Sequence, residues 1–494
     1  AATSFSSSGS SPSPAPRRCV LVAAALTWQA SNGTVQVYDL GDWPAPFGIV
    51  LVLDRLSAAM VLLTSVLAFI VLLYATGSDW DRRGWHFHAL YQFQLMGICG
   101  AFLTGDAFNL FVFFEVLLIA SYGLMIHAGG GARLRAGTQY VVYNLVGSTL
   151  FLFALGTLYG VTGTLNMADL AERVAALPEG DTALIRMGAA LLLIVFAVKA
   201  AVLPLHFWLP AAYAHAPAPV AALFAIMTKV GAYAILRMYT LVFGPDLAMT
   251  EGLVGDWLLP AALLTLAVGA AGVLGAREIG RLAAYAAITS MGTLLIAIAL
   301  FTETGAAAAL YYTAHSTLAT GALFLVADMV RERRGGALAV TGPPMAQNGL
   351  IASLFFVTAI AMAGMPPLSG FLGKLLVLDA ARSEPLSALV WAAVLVTSLV
   401  TIVGLARAGS LLFWKPSDPE AGEAARHLAW HEAAAGPVPP AKPLPFTAVF
   451  ALLGTLGLLT VLAGPAMEYA GATAGQLYAP ETYIDAVLKR EAGA

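Results

Sequence analysis

Three of the six lysines in this 494-residue chain, Lys199, Lys229 and Lys374, lie inside long apolar stretches, although arginine supplies nineteen of its twenty-five basic side chains. Arginine keeps its proton at any biological pH, whereas a desolvated lysine can release one. Glu115 and His315 also sit deep in apolar stretches. An ionisable residue within a membrane span is by default a functional-site hypothesis. One carboxylate, three amines and an imidazole make a set that can pass protons.

Each has its own setting. Glu115, in DAFNLFVFFEVLLIASYGLMIH, follows Asp106 by nine residues, roughly 14 Å along a helix and so near the bilayer centre. Lys199, in LLLIVFAVKAAVLPLHFWLP, precedes Pro204 by five residues, which places it near the C-terminal end of a half-helix whose dipole favours its charge. Glu115 is its candidate partner. An opposite charge favours both ionised forms and burial disfavours both, so such a pair can switch when a third charge arrives. Lys229, in ALFAIMTKVGAYAILR, and His315, in YYTAHSTLATGALFLV, fall mid-span as candidate relay stations. Lys374, in GMPPLSGFLGKLLVL, follows a helix break, where the positive end of the second half-helix would disfavour its ammonium form. The competing readings are a structural contact for Glu115, a static ion pair for Lys199, a hydrogen-bonded core histidine for His315 and a snorkelling side chain for Lys374. Asp54, Arg55, Arg186, Arg237, Asp328 and Arg407 fall nearer span ends and read as interfacial anchors; His206 and His215 flank the first break as candidates to line a proton uptake path.

Composition sets the frame for these residues. Charged residues make up 11% of the chain and hydrophobic ones 59%, with a mean hydropathy of +0.81; a soluble domain is typically about 25% charged. This is the composition of a polytopic membrane protein. The net charge of -3 and the lack of a long basic tract give no reason to expect a nucleic-acid partner. Cys19 and Cys99 form no disulfide or metal framework, and no second ligand stands at metal spacing from His315. The sequence shows no phosphate-binding glycine loop, dinucleotide fingerprint, haem or iron–sulfur ligand set or nucleophile elbow, so neither a cofactor nor a self-contained enzyme is expected.

Apolar stretches long enough to span run over 19–38, 48–75, 87–104, 106–127, 138–160, 183–215, 218–242, 256–275, 279–302, 305–330, 349–380, 386–413 and 445–465. Residues 1–18 are a low-complexity segment and 19–86 hold the N-terminal helices. Arg17 and Arg18 before CVLVAAAL imitate a signal peptide, but no small-residue cleavage site follows, so a membrane helix is expected. The stretches 183–215 and 349–380 are too long for one helix and contain Pro204 and Pro210, and Gly364, Pro366, Pro367 and Gly370. Broken helices at membrane depth mark ion sites in transporters, often in matching positions of two repeats. Each of the units 87–242 and 256–413 counts five spans with the broken one fourth, and an odd count makes the repeat inverted. The fold expected is therefore all-α, polytopic, with about 13–14 transmembrane helices and two inverted five-helix repeats. Alternate loops hold Arg82, Arg83, Arg133, Arg135, Arg277, Arg281, Arg331, Arg333, Arg334, Lys415, Arg426 and Lys442, against Arg173, Arg382, Lys489 and Arg490 on the other side. The positive-inside rule makes the first set cytoplasmic, with it the loop 414–444. The last helix and C-terminal segment occupy 445–494, with the chain after Pro465 outside.

The chain resembles the antiporter-like membrane subunits shared by respiratory complex I and Mrp-type multisubunit Na+/H+ antiporters. The resemblance runs from about residue 40 to 465. It is carried by FFEVLLIASYGL with Glu115, VKAAVLPLHFWLPAAYAHAPAPVAALFA with Lys199, MTKVGAYAILR with Lys229, the His315 helix and GMPPLSGFLGK with Lys374. GDWPAPFGIVLVLDRLSA is similar to the D subunit of Mrp antiporters. The resemblance implies fourteen helices in two inverted five-helix units. It implies a central hydrophilic axis in which the glutamate, lysines and histidine pass protons, and side-by-side packing with sister subunits of a hetero-oligomeric complex in a bacterial plasma membrane, a larger homologous antiporter-like subunit among them. Thirteen spans are visible where the family has fourteen, the Ser/Pro-rich start standing where a first helix is expected. Three functions compete: a proton-translocating subunit of a cation/proton antiporter, a pumping subunit of a redox-driven complex (NADH dehydrogenase or membrane hydrogenase), and a non-transporting scaffold. Buried ionisable residues weigh against the scaffold, since apolar replacements would cost it little. Protons are the expected cargo. Na+ is a candidate ligand that one mid-membrane carboxylate among several cations does not favour.

The loop assignment predicts a labelling pattern. A cysteine introduced by Ser417→Cys should resist an impermeant thiol reagent in intact cells and react in inverted vesicles; the reverse pattern would invert the topology.

Overall fold

The computed structural model describes residues 15–178, 182–245, 247–342, 344–415 and 442–489. Most of the low-complexity start, and the part of the 414–444 loop that contains Ser417 and Arg426, lie outside the described residues. The chain opens with helix α1 (Ala15–Ala30), an antiparallel hairpin of β1 (Gln36–Asp39) and β2 (Val50–Leu53), and α2 (Arg55–Gly77). Then come α3 (Phe87–Leu103), α4 (Ala107–Met125), α5 (Gly131–Thr162), the short α6 (Met167–Ala175) and α7 (Ala183–Lys199). Three pieces, α8 (Trp208–His215), α9 (Ala218–Phe224) and α10 (Met227–Leu241), lead into α11 (Leu253–Gly275), α12 (Ile279–Ala299) and α13 (Glu303–Arg334). The chain continues through α14 (Asn348–Ala363), α15 (Ser369–Ala380) and α16 (Ser387–Phe413) to α17 (Pro443–Val461), α18 (Ala463–Tyr478) and α19 (Glu481–Leu488). Among the described residues, nine helical stretches are long and apolar enough to cross a membrane. The protein is a multi-pass, all-α membrane protein that carries a small hairpin near its N-terminus.

The expected spans need correction at the N-terminus. The stretch 19–38 is not one helix: α1 stops at Ala30, and Gln36–Asp39 pairs with Val50–Leu53. Short runs of β-branched residues on either side of a Gly/Pro-rich turn suit a hairpin better than a continued helix. The stretch 48–75 accordingly begins as β2, and α2 starts only after Asp54, whose carboxylate accepts from the Ser57 amide at 2.9 Å while Ser57 Oγ accepts from the Asp54 amide at 2.9 Å. This reciprocal cap satisfies two donors that the helix start leaves free.

Burial identifies the centre of the bundle. The α9–α10 stretch, α12 and α13 are buried over 94% or more of their apolar windows, whereas α5 is 39% buried and α16 and α17 are each 33% buried. Small residues bring the central helices together. A side chain at Gly292 would lie 2.5 Å from the Leu266 amide, and one at Gly269 2.5 Å from the Thr289 amide, so α11 and α12 touch backbone to backbone.

The two loop sets gather at opposite ends. At the arginine-rich end Arg83 pairs with Glu332 at 3.1 Å and Lys442 with Asp79 at 2.6 Å. At the other end the hairpin bridges to Thr104, Asp106 bridges to Asn166 beside α6, and Lys489 pairs with Asp39. The segment after Pro465 forms α18 and α19, which fold back: Tyr469 donates to the Arg55 carbonyl at 2.8 Å and the Arg55 guanidinium to Ala472 at 3.2 Å.

Asp54, Arg237 and Asp328 are not interfacial anchors. Asp54 and Arg237 form an ion pair at 2.7 Å with both side chains under 5% exposed. Asp328 is buried and accepts from Trp80 Nε1 at 2.8 Å and Tyr74 OH at 3.0 Å. The sequence places each near a span end; the covering comes from α18, α19 and the turn around Trp80, far away in the chain.

Removing one partner of a buried pair leaves an uncompensated charge, worth about 3–5 kcal/mol. Arg237→Met should therefore sharply lower the thermal stability and membrane level of the subunit. Adding Asp54→Asn, which keeps the cap and removes the charge, should restore much of the loss in melting of the detergent-solubilised protein.

Candidate functional site

The first break begins at Lys199, the last residue of α7. Pro204 has no amide to continue the helix, and Ala201 turns the chain at φ +54°. The freed backbone groups find protein partners. The Val198 carbonyl accepts from Trp208 Nε1 at 3.0 Å, and the Leu203 amide donates to Thr265 Oγ1 of α11 at 2.8 Å. The break is thereby a defined shape and leaves the Lys199 ammonium at the negative end of a half-helix.

Lys199 is 5% exposed and its Nζ donates to Asn144 Oδ1 at 3.1 Å, with the Phe114 ring centroid 5.7 Å away. Glu115, half-buried on α4, accepts from Ser148 Oγ. The sequence reading sets Glu115 and Lys199 as a charge pair; in the structure α5 mediates between them. Asn144 and Ser148, one turn apart on α5, hold one charge each. Gly147 lies between them: a side chain there would lie 3.9 Å from Lys199 Nζ and 3.4 Å from Val198. Sequence reasoning missed Asn144 and Ser148. Their i, i+4 spacing in an otherwise apolar span was the available signal.

Lys229 lies in the first turn of α10, just after an interruption of the helical hydrogen-bond pattern at Ala225–Ile226, where the backbone angles stay helical. The stretch 218–242 shows no break in sequence because neither Gly nor Pro marks it. The Phe224 carbonyl freed there accepts from Tyr213 OH of α8 at 2.8 Å. Gly231 brings α10 against the first break: a side chain on it would lie 2.7 Å from the Phe196 carbonyl and 2.8 Å from the Ala200 amide. Lys229 is 1% exposed and its Nζ has no hydrogen-bond partner among the described residues.

His315, on α13, is buried with Nδ1 2.9 Å from Ser369 Oγ at the start of α15. Beside it, Ser290 Oγ donates to Ser316 Oγ at 2.7 Å, and the Tyr312 ring lies 5.7 Å from the imidazole. Gly370 leaves the room for this arrangement, since a side chain there would lie 2.2 Å from the Ala361 carbonyl and 2.8 Å from His315 Nε2. Lys374 is buried, and its Nζ donates to the Ala363 carbonyl and to Ser398 Oγ, both at 2.8 Å.

This corrects the electrostatic setting expected for Lys374. Its Cα is in α15, but its amine reaches back to the last carbonyl of α14, across Gly364 at φ +75°. The amine thus meets the carbonyl end of α14 and not the amide end of α15. Lys199 and Lys374 thus both present their amines at the C-terminal end of the first half of a broken helix.

The elements carrying the five residues follow one another in contact. α4 meets α5, α5 meets α7, α7 meets α10, α10 meets α13, and α13 meets α15. The glutamate and first lysine are joined through α5, and the histidine stands next to the helix that bears Lys374. Lys229 lies between these groups with no direct hydrogen bond to either. His206, in the first break, is buried with Nδ1 unpartnered among the described residues, and the His215 carbonyl accepts from Arg133 Nε at 2.9 Å. Among the described residues no three His, Cys, Asp or Glu side chains cluster as a metal site.

Residues 104–401 match the family described as NADH:quinone oxidoreductase/Mrp antiporter, TM. The chain is 41% identical to a protein of Rhizobium meliloti named as the probable D subunit of a K(+)/H(+) antiporter, over 482 residues that cover 92% of this chain and 86% of that protein. It is 38% identical to the D subunit of the Na(+)/H(+) antiporter of Bacillus subtilis over 479 residues, covering 95% and 92% of the two chains. A chain of the Mrp complex from Dietzia sp. DQ12-45-1b superposes with a TM-score of 0.82 at 29% identity, over 96% of this chain and 93% of that one.

Gly370→Ala should cost about 1–3 kcal/mol by overpacking and displace His315, lowering both melting temperature and ion transport. Gly349→Ala, in α14 with nothing within 4 Å of the added carbon, should change neither.

Proposed function

The chain belongs to the NADH:quinone oxidoreductase/Mrp antiporter family of transmembrane subunits, and from that membership we propose that it is the D-type, proton-translocating subunit of a multisubunit monovalent cation/proton antiporter in a bacterial plasma membrane. Two relatives named as antiporter D subunits, each covering nearly the whole of this chain, favour that reading over a pump driven by redox chemistry. It is then a secondary transporter component and not an enzyme. Its partners are the other subunits of the complex, including a larger homologous antiporter-like subunit. The exchanged cation is Na+ or K+, as the names of those two relatives suggest.

The observation that carries the mechanism is the row of three buried lysines and one histidine on successive, touching elements, ending in a carboxylate held by α5. We read Glu115, Lys199, Lys229, His315 and Lys374 as the proton relay. A proton on Glu115 removes its negative charge. That weakens the hold on the Lys199 ammonium and shifts the balance toward release to the next amine. Asn144 and Ser148 set the strength of this coupling, since each is hydrogen-bonded to one of the two charges. At the far end Lys374 is steadied by the Ala363 carbonyl and Ser398, so its release requires a change in the charge around it. The two five-helix units 87–242 and 256–413 are read as inverted repeats. In support, each has a broken fourth span with a lysine amine at its break. They differ in the fifth span, which is interrupted in the first unit and continuous in α16.

The reading is tested by keeping shape and removing proton exchange. Glu115→Gln should leave assembly intact and stop cation/proton exchange in everted vesicles. Lys374→Arg, which keeps the charge but cannot deprotonate, should be nearly as damaging as Lys374→Ala. Normal exchange by the arginine variant would reduce Lys374 to a fixed electrostatic element.

A further inference from the structure

Gln94 is a buried polar group that the relay does not use and the fold does not explain. It lies on α3, is fully buried, and neither its Oε1 nor its Nε2 has a hydrogen-bond partner among the described residues. Buried amides are almost always satisfied, because leaving them unpaired costs the full desolvation of the group. Lys229 Nζ is in the same condition.

Helix register brings the two together. Both α3 and α10 run toward the hairpin end: Thr104, just past α3, bridges to Leu51, and Arg237 on α10 pairs with Asp54. The helices are aligned by Phe102 and Tyr233, whose rings are 4.9 Å apart, with Tyr233 OH donating to the Phe102 carbonyl at 2.6 Å. Gln94 precedes Phe102 by two turns and Lys229 precedes Tyr233 by one, about 12 Å and 6 Å back along the axes. Helical side chains lean toward the N-terminus, so the long lysine reaches in the direction of Gln94.

The facing agrees. Gly231, about 200° round the helix from Lys229, is the residue that packs on α7. Lys229 lies on the side of α10 away from the Gly231 contact, on the stripe shared with Tyr233 and Arg237, which touch α3 and the start of α2, and His315 of α13 is a titratable group within electrostatic reach of it. On α3, Gly97 and Gly100 face α4, and Tyr91 reaches the Ala68 carbonyl of α2 at 2.7 Å. Gln94 falls between these two faces, directed inward.

We propose that Gln94 and Lys229 line an internal water-binding site between α2, α3 and α10, through which a proton from the arginine-rich end reaches the Lys229 amine. Gln94 lies on that side of Lys229. Its Oε1 accepts from, and its Nε2 donates to, waters that carry the proton. The proton adds to the neutral lysine amine, and the amide itself does not titrate. Gln94 is thus a positioning residue. A chain of such waters costs little because each polar group it meets is otherwise unpaired.

The inference rests on the proton-translocating reading, and the test separates the two. Gln94→Met, of similar length, should leave assembly and melting temperature of the complex unchanged, because the amide has no partner among the described residues of the protein. It should lower exchange by about tenfold and change its dependence on proton concentration, with the cation dependence unaltered. Normal exchange overturns the proposal. So does failure to assemble, which would assign the amide to the fold. Independently, Gln94→Cys in a Cys19→Ala, Cys99→Ala background should react with a small charged methanethiosulfonate in inverted vesicles. If it stays unmodified while Ser417→Cys in the same background reacts, the site is dry and the proposal fails, whether or not the complex exchanges cations.

Discussion

Backbone that leaves a helix inside a membrane must find its hydrogen-bond partners in the protein, and this requirement shapes the rest of the molecule. Among the described residues, three interruptions occur in the buried core, after Lys199, at Ala225–Ile226 and after Ala363. Each is answered by a side chain from elsewhere: Trp208 and Thr265 at the first, Tyr213 at the second, Lys374 at the third. Without these partners each freed carbonyl or amide would cost several kcal/mol. The same breaks expose half-helix ends, and two lysine amines sit at the negative ones. Structural satisfaction and electrostatic function are therefore carried by the same few atoms.

The small residues around the breaks follow from this. Gly231, Gly364 and Gly370 each stand where a methyl group would collide with a broken helix, with Lys374 or with His315. α12 and α13 pack at the centre of this region, and the less buried α5, α16 and α17 lie outside it. In a low-dielectric interior, a hydroxyl or an amide hydrogen-bonded to a charge acts on it more strongly than it would in water. That is why Asn144 and Ser148 matter as much to the pairing of Lys199 and Glu115 as the charges themselves. The Asp54–Arg237 pair belongs to a different layer. It closes the bundle at the hairpin end, where α2, α10 and the C-terminal helices meet.

Much of this is readable in the amino-acid sequence. Periodicity says little in a bilayer, but length and hydropathy mark the spans, and Pro204, Gly364 and Pro367 mark two of the three breaks, since proline disfavours a continued helix and glycine readily takes the left-handed turn, although α11 runs on through Pro260. Lysine in an apolar run is conspicuous on energetic grounds alone, so Lys199, Lys229 and Lys374 stand out by residue type. The interruption before Lys229 is not legible, since no residue there forbids a helix; it exists because Tyr213 takes the Phe224 carbonyl. The hairpin reads as helix in sequence because β2, VLVL, is as apolar as a span and runs straight into α2, while β1 follows closely on the apolar run of α1.

What the sequence by itself determined is part of the inventory: that Lys199, Lys229, His315 and Lys374 lie within apolar runs, and two of the places where the chain breaks. It did so because the cost of a charge in lipid, or of proline within a helix, is local to that residue. Only the tertiary structure decided which atoms meet. It set α5 between Glu115 and Lys199, turned Lys374 back to α14 and covered Arg237 with the C-terminal helices, because hydrogen bonds and burial depend on neighbours that are distant in the chain.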